Sequence, residues 1–113
     1  MSVEVGWSRD SGILVASLVG RIDSSNSGEC ADALRAGVGN DDQALLLNLS
    51  RLDYISSAGL RILLLTSREF EGPGQSFALC ELSSGISEVI RVGGFSDIIS
   101  VYDSQADAVA AIA

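Results

Sequence analysis

Apolar and polar positions alternate over the first part of the chain, and this pattern predicts two β-strands. The segment VEVGWS, residues 3–8, alternates with a period of two. After the polar turn RDSG, the segment ILVASLVG, residues 13–20, predicts a second and longer strand. Because so short a turn joins antiparallel neighbours, we expect a hairpin at one end of a sheet.

Three later segments predict further strands. ALLLNL, residues 44–49, and SFALCEL, residues 76–82, are nearly continuous apolar runs, and IISVY, residues 98–102, is shorter. Continuous apolar runs are typical of central strands that are covered on both faces. These three strands are therefore expected beside the hairpin.

Helical spacing separates these strands. In GECADALRAGV, residues 28–38, apolar side chains recur at Cys30, Ala33, Leu34 and Val38, and glycines end the segment. A helix of about four turns is expected from Ser57 to Glu71, where the segment EGPG stops it. Two shorter helices are predicted within residues 83–94 and 103–113, each beginning near a serine.

The predicted order of elements is β-β-α-β-α-β-α-β-α, with no repeat, linker or low-complexity tract. Strands that alternate with helices imply an α/β fold. We expect one domain over residues 1–113, with a mixed, mostly parallel sheet of about five strands and about four helices packed against it.

Composition narrows the cellular context and the class of partner. The 113 residues carry a net charge of −8 and show no basic patch, so nucleic acid and anionic membranes are not expected partners. The first residues do not resemble a signal peptide, and no apolar run approaches the roughly 20 residues of a membrane span. We therefore expect a cytoplasmic protein.

Two residue types that the chain lacks argue against catalysis. There is no His, and all seven basic residues are Arg, so the commonest general base and the catalytic lysines are absent. No GxGxxG or P-loop pattern is present, and Cys30 and Cys80 have no CxxC partner. We expect a protein that is not an enzyme, with free thiols, no cofactor and no metal site.

The segment NLSRLDYISSAGLRILLL, residues 48–65, places two adjacent serines where a helix begins. One serine is accounted for as an N-cap, whose oxygen accepts a hydrogen bond from a free N–H of the first turn. A nucleophile elbow is a second interpretation, but Ile55 replaces its first glycine and no base is available. A third interpretation is a modification site, since a phosphate is tolerated at a helix N-terminus and adds nearly two negative charges.

The helix that follows has two distinguishable sides at about 100° per residue. One side carries Gly59, Ile62, Leu63, Thr66 and Phe70 and is predicted to face the core. The opposite side carries a candidate contact strip, which consists of Ser57, Arg61, Leu64 and Arg68.

The junction resembles the signature of STAS domains, and specifically that of bacterial anti-sigma factor antagonists. Their pattern is a buried strand that ends near Asp-Leu-Ser, a short loop, and Asp-Ser-Ser-Gly-Leu opening a helix; LLLNLSRLDYISSAGLRILL is similar. GRIDSSNSGECADALR is similar to another family segment, in which Gly, an acid, Leu or Ile and Asp precede a helix. The length and the order of elements also agree.

The resemblance implies roles for particular residues. The serine that the family phosphorylates corresponds to Ser57, with Ser56 as the alternative, and Asp23 matches the aspartate of the loop after the second strand. The chain departs from the family at Ser56 and Asn48, where the family has aspartates, and Asp53 supplies negative charge nearby. We expect the partner-binding surface to comprise Asp23, Ser24, Asp53, Ser56, Ser57, Arg61, Leu64 and Arg68.

The resemblance also implies a mechanism. An unphosphorylated antagonist binds an anti-sigma factor, itself a serine kinase with an ATP-binding fold, and so frees a sigma factor. The kinase ends binding by phosphorylating the antagonist, and a serine phosphatase restores it. The alternative is a STAS module that binds a protein without phosphorylation, such as a small subunit of a lipid-transport or sensory complex. An unrelated small-molecule enzyme is a third hypothesis.

Overall fold

The apolar runs form the centre of a six-stranded sheet. The structure, a computed structural model, describes residues 3–112. None of the helices in this range has the length and apolar character needed to cross a bilayer. In chain order the elements are β1 (Val3–Asp10), β2 (Ile13–Ile22), α1 (Ser27–Gly37), β3 (Ala44–Asn48), β4 (Leu52–Ile55), α2 (Ser57–Arg68), β5 (Ser76–Cys80), α3 (Ser84–Val92), a 3-10 turn (Phe95–Asp97), β6 (Ser100–Tyr102) and α4 (Gln105–Ile112).

The sheet is mixed and mostly parallel, as predicted. Its strand order is β1-β2-β3-β5-β6, and β1 pairs antiparallel with β2 as the expected hairpin. The other pairings are parallel. β4 pairs with the carboxyl end of β2, beyond the part of β2 that pairs with β3.

The structure adds one strand that the pattern did not predict. β4 does not alternate, because Leu52 and Ile55 are buried while Asp53 and Tyr54 between them are exposed. The register against β2 shifts there: Gly20 pairs with Leu52 and the next residue of β2 pairs with Tyr54, so Asp53 is the extra residue of a β-bulge. A bulge breaks the period-two pattern by which strands are recognised in a sequence.

The second helix ends three residues earlier than predicted. α2 stops at Arg68, and the N–H groups of Glu69 and Phe70 bond to the carbonyls of Thr66 and Ser67, three residues back. Such bonds tighten the last turn of a helix. Phe70 then turns inward, and its ring stacks on that of Phe77 with 6.4 Å between centroids.

Two apolar clusters lie on opposite faces of the sheet, as the continuous runs predicted. Leu45 and Leu47 of β3 belong to the larger cluster, which includes residues of α1, α2 and α3. Leu46 belongs to the smaller cluster, together with Ala108 and Val109 of α4. Because both faces are covered, the central strands β2, β3 and β5 form a packed support for the loops at their carboxyl ends.

The terminal helix is held against the sheet by polar contacts around Gln105. The Gln105 side chain accepts from Asn48 Nδ2 at 2.8 Å and donates to Asp10 Oδ2 at 2.8 Å. Its backbone N–H donates to Glu81 Oε2, also at 2.8 Å, so that Glu81 caps the helix. The predicted helix reached residue 113, which lies outside the described residues.

Candidate functional site

The two serines of the junction have different environments. The Ser56 N–H donates to the Ile22 carbonyl at 2.9 Å, and the Ser56 hydroxyl accepts from the Gly59 N–H at 3.3 Å. Ser56 is therefore the N-cap of α2 and also ties it to the end of β2. Ser57 is the first residue of the helix and is exposed, and within residues 3–112 its hydroxyl makes no hydrogen bond.

Gly59 allows the start of α2 to lie directly against the sheet. A Cβ at this position would be 2.6 Å from Ile55 Cγ1 and 2.8 Å from Ile22 Cγ2, closer than carbon atoms can pack. These isoleucines are the last residues of β4 and β2. The glycine of the junction thus fixes where the exposed hydroxyl of Ser57 is presented.

The loop between β2 and α1 begins beside Ser56 and is folded by its own polar side chains. Asp23 Oδ1 accepts from the Ser25 N–H at 2.9 Å and from the Ser25 hydroxyl at 2.5 Å. These hydrogen bonds, with the hydroxyl of Ser25 foremost, lower the pKa of the Asp23 carboxyl. The buried Asn26 accepts from the Asp23 N–H at 2.9 Å and donates to the Arg21 carbonyl at 2.8 Å. Asp23 therefore shapes the loop, and Ser24 is exposed at its tip.

An open depression lies between the first turns of α1 and α2. Its volume is about 430 Å³, and it is lined by Ser27, Ser57, Ala58, Arg61 and Ile62. Arg61 is the one charged residue among these five and is exposed. Ser57 and Arg61 of the predicted strip therefore line the same depression.

The rest of α2 corrects the predicted division between its two sides. Gly59, Leu63 and Thr66 are buried as expected, but Leu60 and Ser67 are buried too and Ile62 is only half-buried. In the strip, Arg68 is exposed and Leu64 is half-buried. Leu65, which neither predicted side of α2 included, is 49% exposed.

Leu65 belongs to a second, smaller groove between α1 and α2. With Ile62 and Thr66 it faces Ala31, Leu34, Arg35 and Val38 across this groove. Ile62 also lines the depression that contains Ser57, so the two concave regions share this side chain. In the sequence, Leu65 is an apolar residue that falls on neither predicted side of α2. That position could have indicated an apolar contact with another element.

Asp53, a predicted partner-binding residue, and Asn48, a departure from the family pattern, lie in different surroundings. Asp53 is exposed in the β4 bulge, next to Tyr54, whose ring lies 4.4 Å from the Arg21 guanidinium in a cation–π contact. The Asn48 side chain donates to Gln105 Oε1 and accepts from the Ser50 N–H. The Asn48 side chain therefore helps to hold α4 against the sheet.

The cysteines and acids do not form a metal site within residues 3–112. Cys30 and Cys80 are both free and buried. Burial raises the pKa of the Cys30 thiol to about 11 and that of the Cys80 thiol to about 12. Thiols held in the neutral form are poor nucleophiles and poor metal ligands.

Comparison with known proteins identifies the family. The sequence profile of the STAS domain matches residues 8–108. The chain is 39% identical over 100 residues to BtrV of Bordetella bronchiseptica, to which the role of anti-sigma factor antagonist is attributed, and the match covers 88% of this chain and 86% of BtrV. The crystal structure of an anti-sigma factor antagonist from Mycobacterium paratuberculosis matches with a TM-score of 0.87 at 25% identity, over 97% of this chain and 93% of that one.

A third match concerns the fold alone. The Bacillus cell fate determinant SpoIIAA, solved in its phosphorylated form, has a TM-score of 0.69 at 16% identity, over 97% of this chain and 100% of that one. The chain belongs to the STAS domain family, and within that family it groups with the anti-sigma factor antagonists. This is a class of regulatory proteins.

Proposed function

We propose that this chain is an anti-sigma factor antagonist in a partner-switching cascade in the cytoplasm. In the unmodified state it binds an anti-sigma factor that is also a serine kinase with an ATP-binding fold. Phosphorylation of Ser57 by that kinase releases it, and a serine phosphatase restores binding. The likeness to BtrV over most of both chains supports the antagonist role.

One observation carries the assignment of Ser57. Its hydroxyl is exposed and makes no hydrogen bond within residues 3–112, while the neighbouring Ser56 caps the helix. Transfer of a phosphoryl group to Ser57 Oγ therefore breaks no contact of the fold. The first turn of a helix also favours negative charge through its free N–H groups and its dipole.

The proposed partner surface surrounds Ser57. It combines the strip on α2 (Ser57, Arg61, Leu64 and Arg68) with Asp23 and Ser24 of the β2–α1 loop, the capping Ser56 and the bulge residue Asp53. An exposed Arg and a half-buried Leu beside an exposed hydroxyl suit a protein surface, because such interfaces place apolar contacts within a polar rim. A phosphate adds nearly two negative charges here and must be desolvated against the partner.

The chemistry of transfer is supplied by the partner in this proposal. ATP and its metal ion are bound by the kinase, whose own base takes the Ser57 proton as the bond to ADP breaks. The chain has no His or Lys to act as a base. Neither nucleic acid nor membrane contact is part of the proposed role.

Kinase treatment followed by peptide mapping tests the modification directly. The chain is incubated with its cognate anti-sigma kinase and ATP, beside the Ser57→Ala and Ser56→Ala variants. Phosphate is expected on Ser57 in the parent and in Ser56→Ala, and none in Ser57→Ala. Phosphate on Ser56 alone would move the switch by one residue. An unmodified parent chain would instead favour the STAS module that binds without phosphorylation.

A further inference from the structure

Ser57 and Arg61 are neighbours on the surface of α2. They are four residues apart in a helix, a spacing that puts Cβ atoms about 5–6 Å from each other on one face. Both side chains are exposed, and both line the depression between α1 and α2. A group added to Ser57 Oγ would extend into the space that the Arg61 guanidinium reaches.

The Arg61 guanidinium is available for such a contact. Three other arginines are already paired, Arg9 with Asp42, Arg35 with Asp32 and Arg91 with Glu88. Within residues 3–112, by contrast, Arg61 makes neither an ion pair nor a hydrogen bond.

The nearby elements offer Arg61 no competing acid inside the depression. The first turn of α2 contains no acidic residue. The acids of the adjoining elements are Asp23 in the β2–α1 loop, Glu29 and Asp32 in α1, and Asp53 in β4. None of these four residues lines the depression. Asp23 is moreover bonded to Ser25.

We propose that Arg61 binds the phosphate of phosphorylated Ser57 within the same chain. The proposal rests on the phosphorylation of Ser57 put forward above and assigns its regulation to one residue. A guanidinium presents parallel N–H donors that match phosphate oxygens, and a charge-assisted pair of this kind is stronger than a neutral hydrogen bond. The helix dipole favours the phosphate at the same end of α2.

This contact gives phosphorylation two effects on partner binding. The phosphate adds negative charge to the surface, and it also occupies the guanidinium that the unmodified chain offers to its partner. In Arg61→Gln the second effect is absent. Phosphorylation should therefore reduce partner affinity by a smaller factor in Arg61→Gln than in the parent. In Arg68→Gln the factor should equal that of the parent.

Titration of the phosphate tests the contact without any partner. Phosphoserine is installed at position 57 by chemical semisynthesis of the full chain, and the phosphorus-31 NMR shift is followed between pH 4 and 8. The second pKa of phosphoserine is about 6. A nearby guanidinium favours the dianion, so the pKa should rise by about half a unit in Arg61→Gln.

Arg68→Gln is the matched control, because it removes the same charge from the same side of α2. Arg68 is the last helical residue, about 16 Å farther along the axis than Ser57. The phosphate pKa of this variant should equal that of the parent. Equal values in all three proteins, or equal rises in both variants, would overturn the proposal. Since no kinase is used, failure here is distinct from failure of a kinase to modify Ser57.

Discussion

Ser56 and Ser57 are adjacent in the chain and differ in what their hydroxyls contact. The Ser56 hydroxyl accepts from the Gly59 N–H, and that of Ser57 is exposed without a bond in the described chain. Loss of a serine N-cap costs about 1 kcal/mol. Ser56→Ala should lower the free energy of unfolding by about that amount in urea titrations, and Ser57→Ala by less than about 0.5 kcal/mol. A larger loss in Ser57→Ala would reverse the roles assigned here.

Gly59 offers a second test at the scale of one residue. Alanine is better than glycine in a helix by up to about 1 kcal/mol. The added methyl group would nevertheless overlap Ile55 and Ile22, and overpacking costs about 1–3 kcal/mol. We expect a net loss of about 1 kcal/mol in the free energy of unfolding of Gly59→Ala, measured by urea titration.

Gly85 provides the matched control for this substitution. It lies in the first turn of α3, and a Cβ there would meet no atom within 4 Å. Gly85→Ala should therefore be neutral or stabilising by about 0.5 kcal/mol. If both variants were stabilised alike, α2 would not be seated against the sheet in the way described.

At the scale of elements, α2 presents the proposed contact strip, and its outer side can be tested by charge reversal. Arg61→Glu replaces a cation at the interface by an anion, and Leu64→Asp puts a carboxylate at a half-buried apolar position. Each should weaken binding to the anti-sigma partner at least about tenfold in calorimetry. Circular dichroism should show an unchanged helix content.

Arg91→Glu is the control for this experiment. Arg91 is an exposed arginine on α3, paired with Glu88, so its reversal changes the net charge by the same amount. It should leave partner affinity within about twofold of the parent, because Arg91 lies outside the proposed contact strip. The fold should also survive, since the exposed ion pair that is lost contributes little to stability. If Arg91→Glu and Arg61→Glu weakened binding equally, overall charge and not the strip would govern association.

Local pattern was sufficient for the main elements but not for their irregular ends. Alternation and apolar runs predicted β1, β2, β3, β5 and β6, because each pairs with a neighbour in this set without a register shift. The fourth strand was missed since its bulge at Asp53 removes the alternation. β4 forms because it pairs with the end of β2, some 30 residues earlier in the chain. A local sequence pattern does not reveal such a pairing.

Some features of the candidate site were likewise predictable from the local sequence, and others depend on residues that are distant in the chain. A serine cap was predicted, but two adjacent serines satisfy the same rule, so only the hydrogen bonds of the fold assign it to Ser56. The strip followed from helical geometry. The exposure of Leu65 and the attachment of Asn48 to Gln105 depend on α1 and α4, which are distant in sequence.

At the scale of the whole molecule, the two buried thiols make stability depend on alkaline pH. In the unfolded chain a thiol ionises near its ordinary pKa of 9.0, whereas in the fold the pKa is about 11 for Cys30 and about 12 for Cys80. Above pH 9 the unfolded chain has therefore lost protons that the folded chain retains, and rising pH favours unfolding. Stability should be unaffected by these groups below pH 9 and should fall from there towards pH 11–12.

The double variant Cys30→Ala/Cys80→Ala isolates this contribution. It removes both thiols and is expected to be less stable at every pH because it leaves cavities in the core. Its free energy of unfolding should nonetheless decline less steeply than that of the parent above pH 9. Parallel decline of the two proteins would assign the alkaline loss to other groups.

The central claim is that a single phosphate on Ser57 ends partner binding without unfolding the domain. Calorimetric titration of the anti-sigma factor with the unmodified chain, and with the chain phosphorylated only at Ser57, tests it most directly. We expect the unmodified chain and Ser57→Ala to bind alike, and the phosphorylated chain to bind at least about a hundredfold more weakly with an unchanged circular dichroism spectrum. Equal affinity of the phosphorylated and unmodified chains would contradict the account.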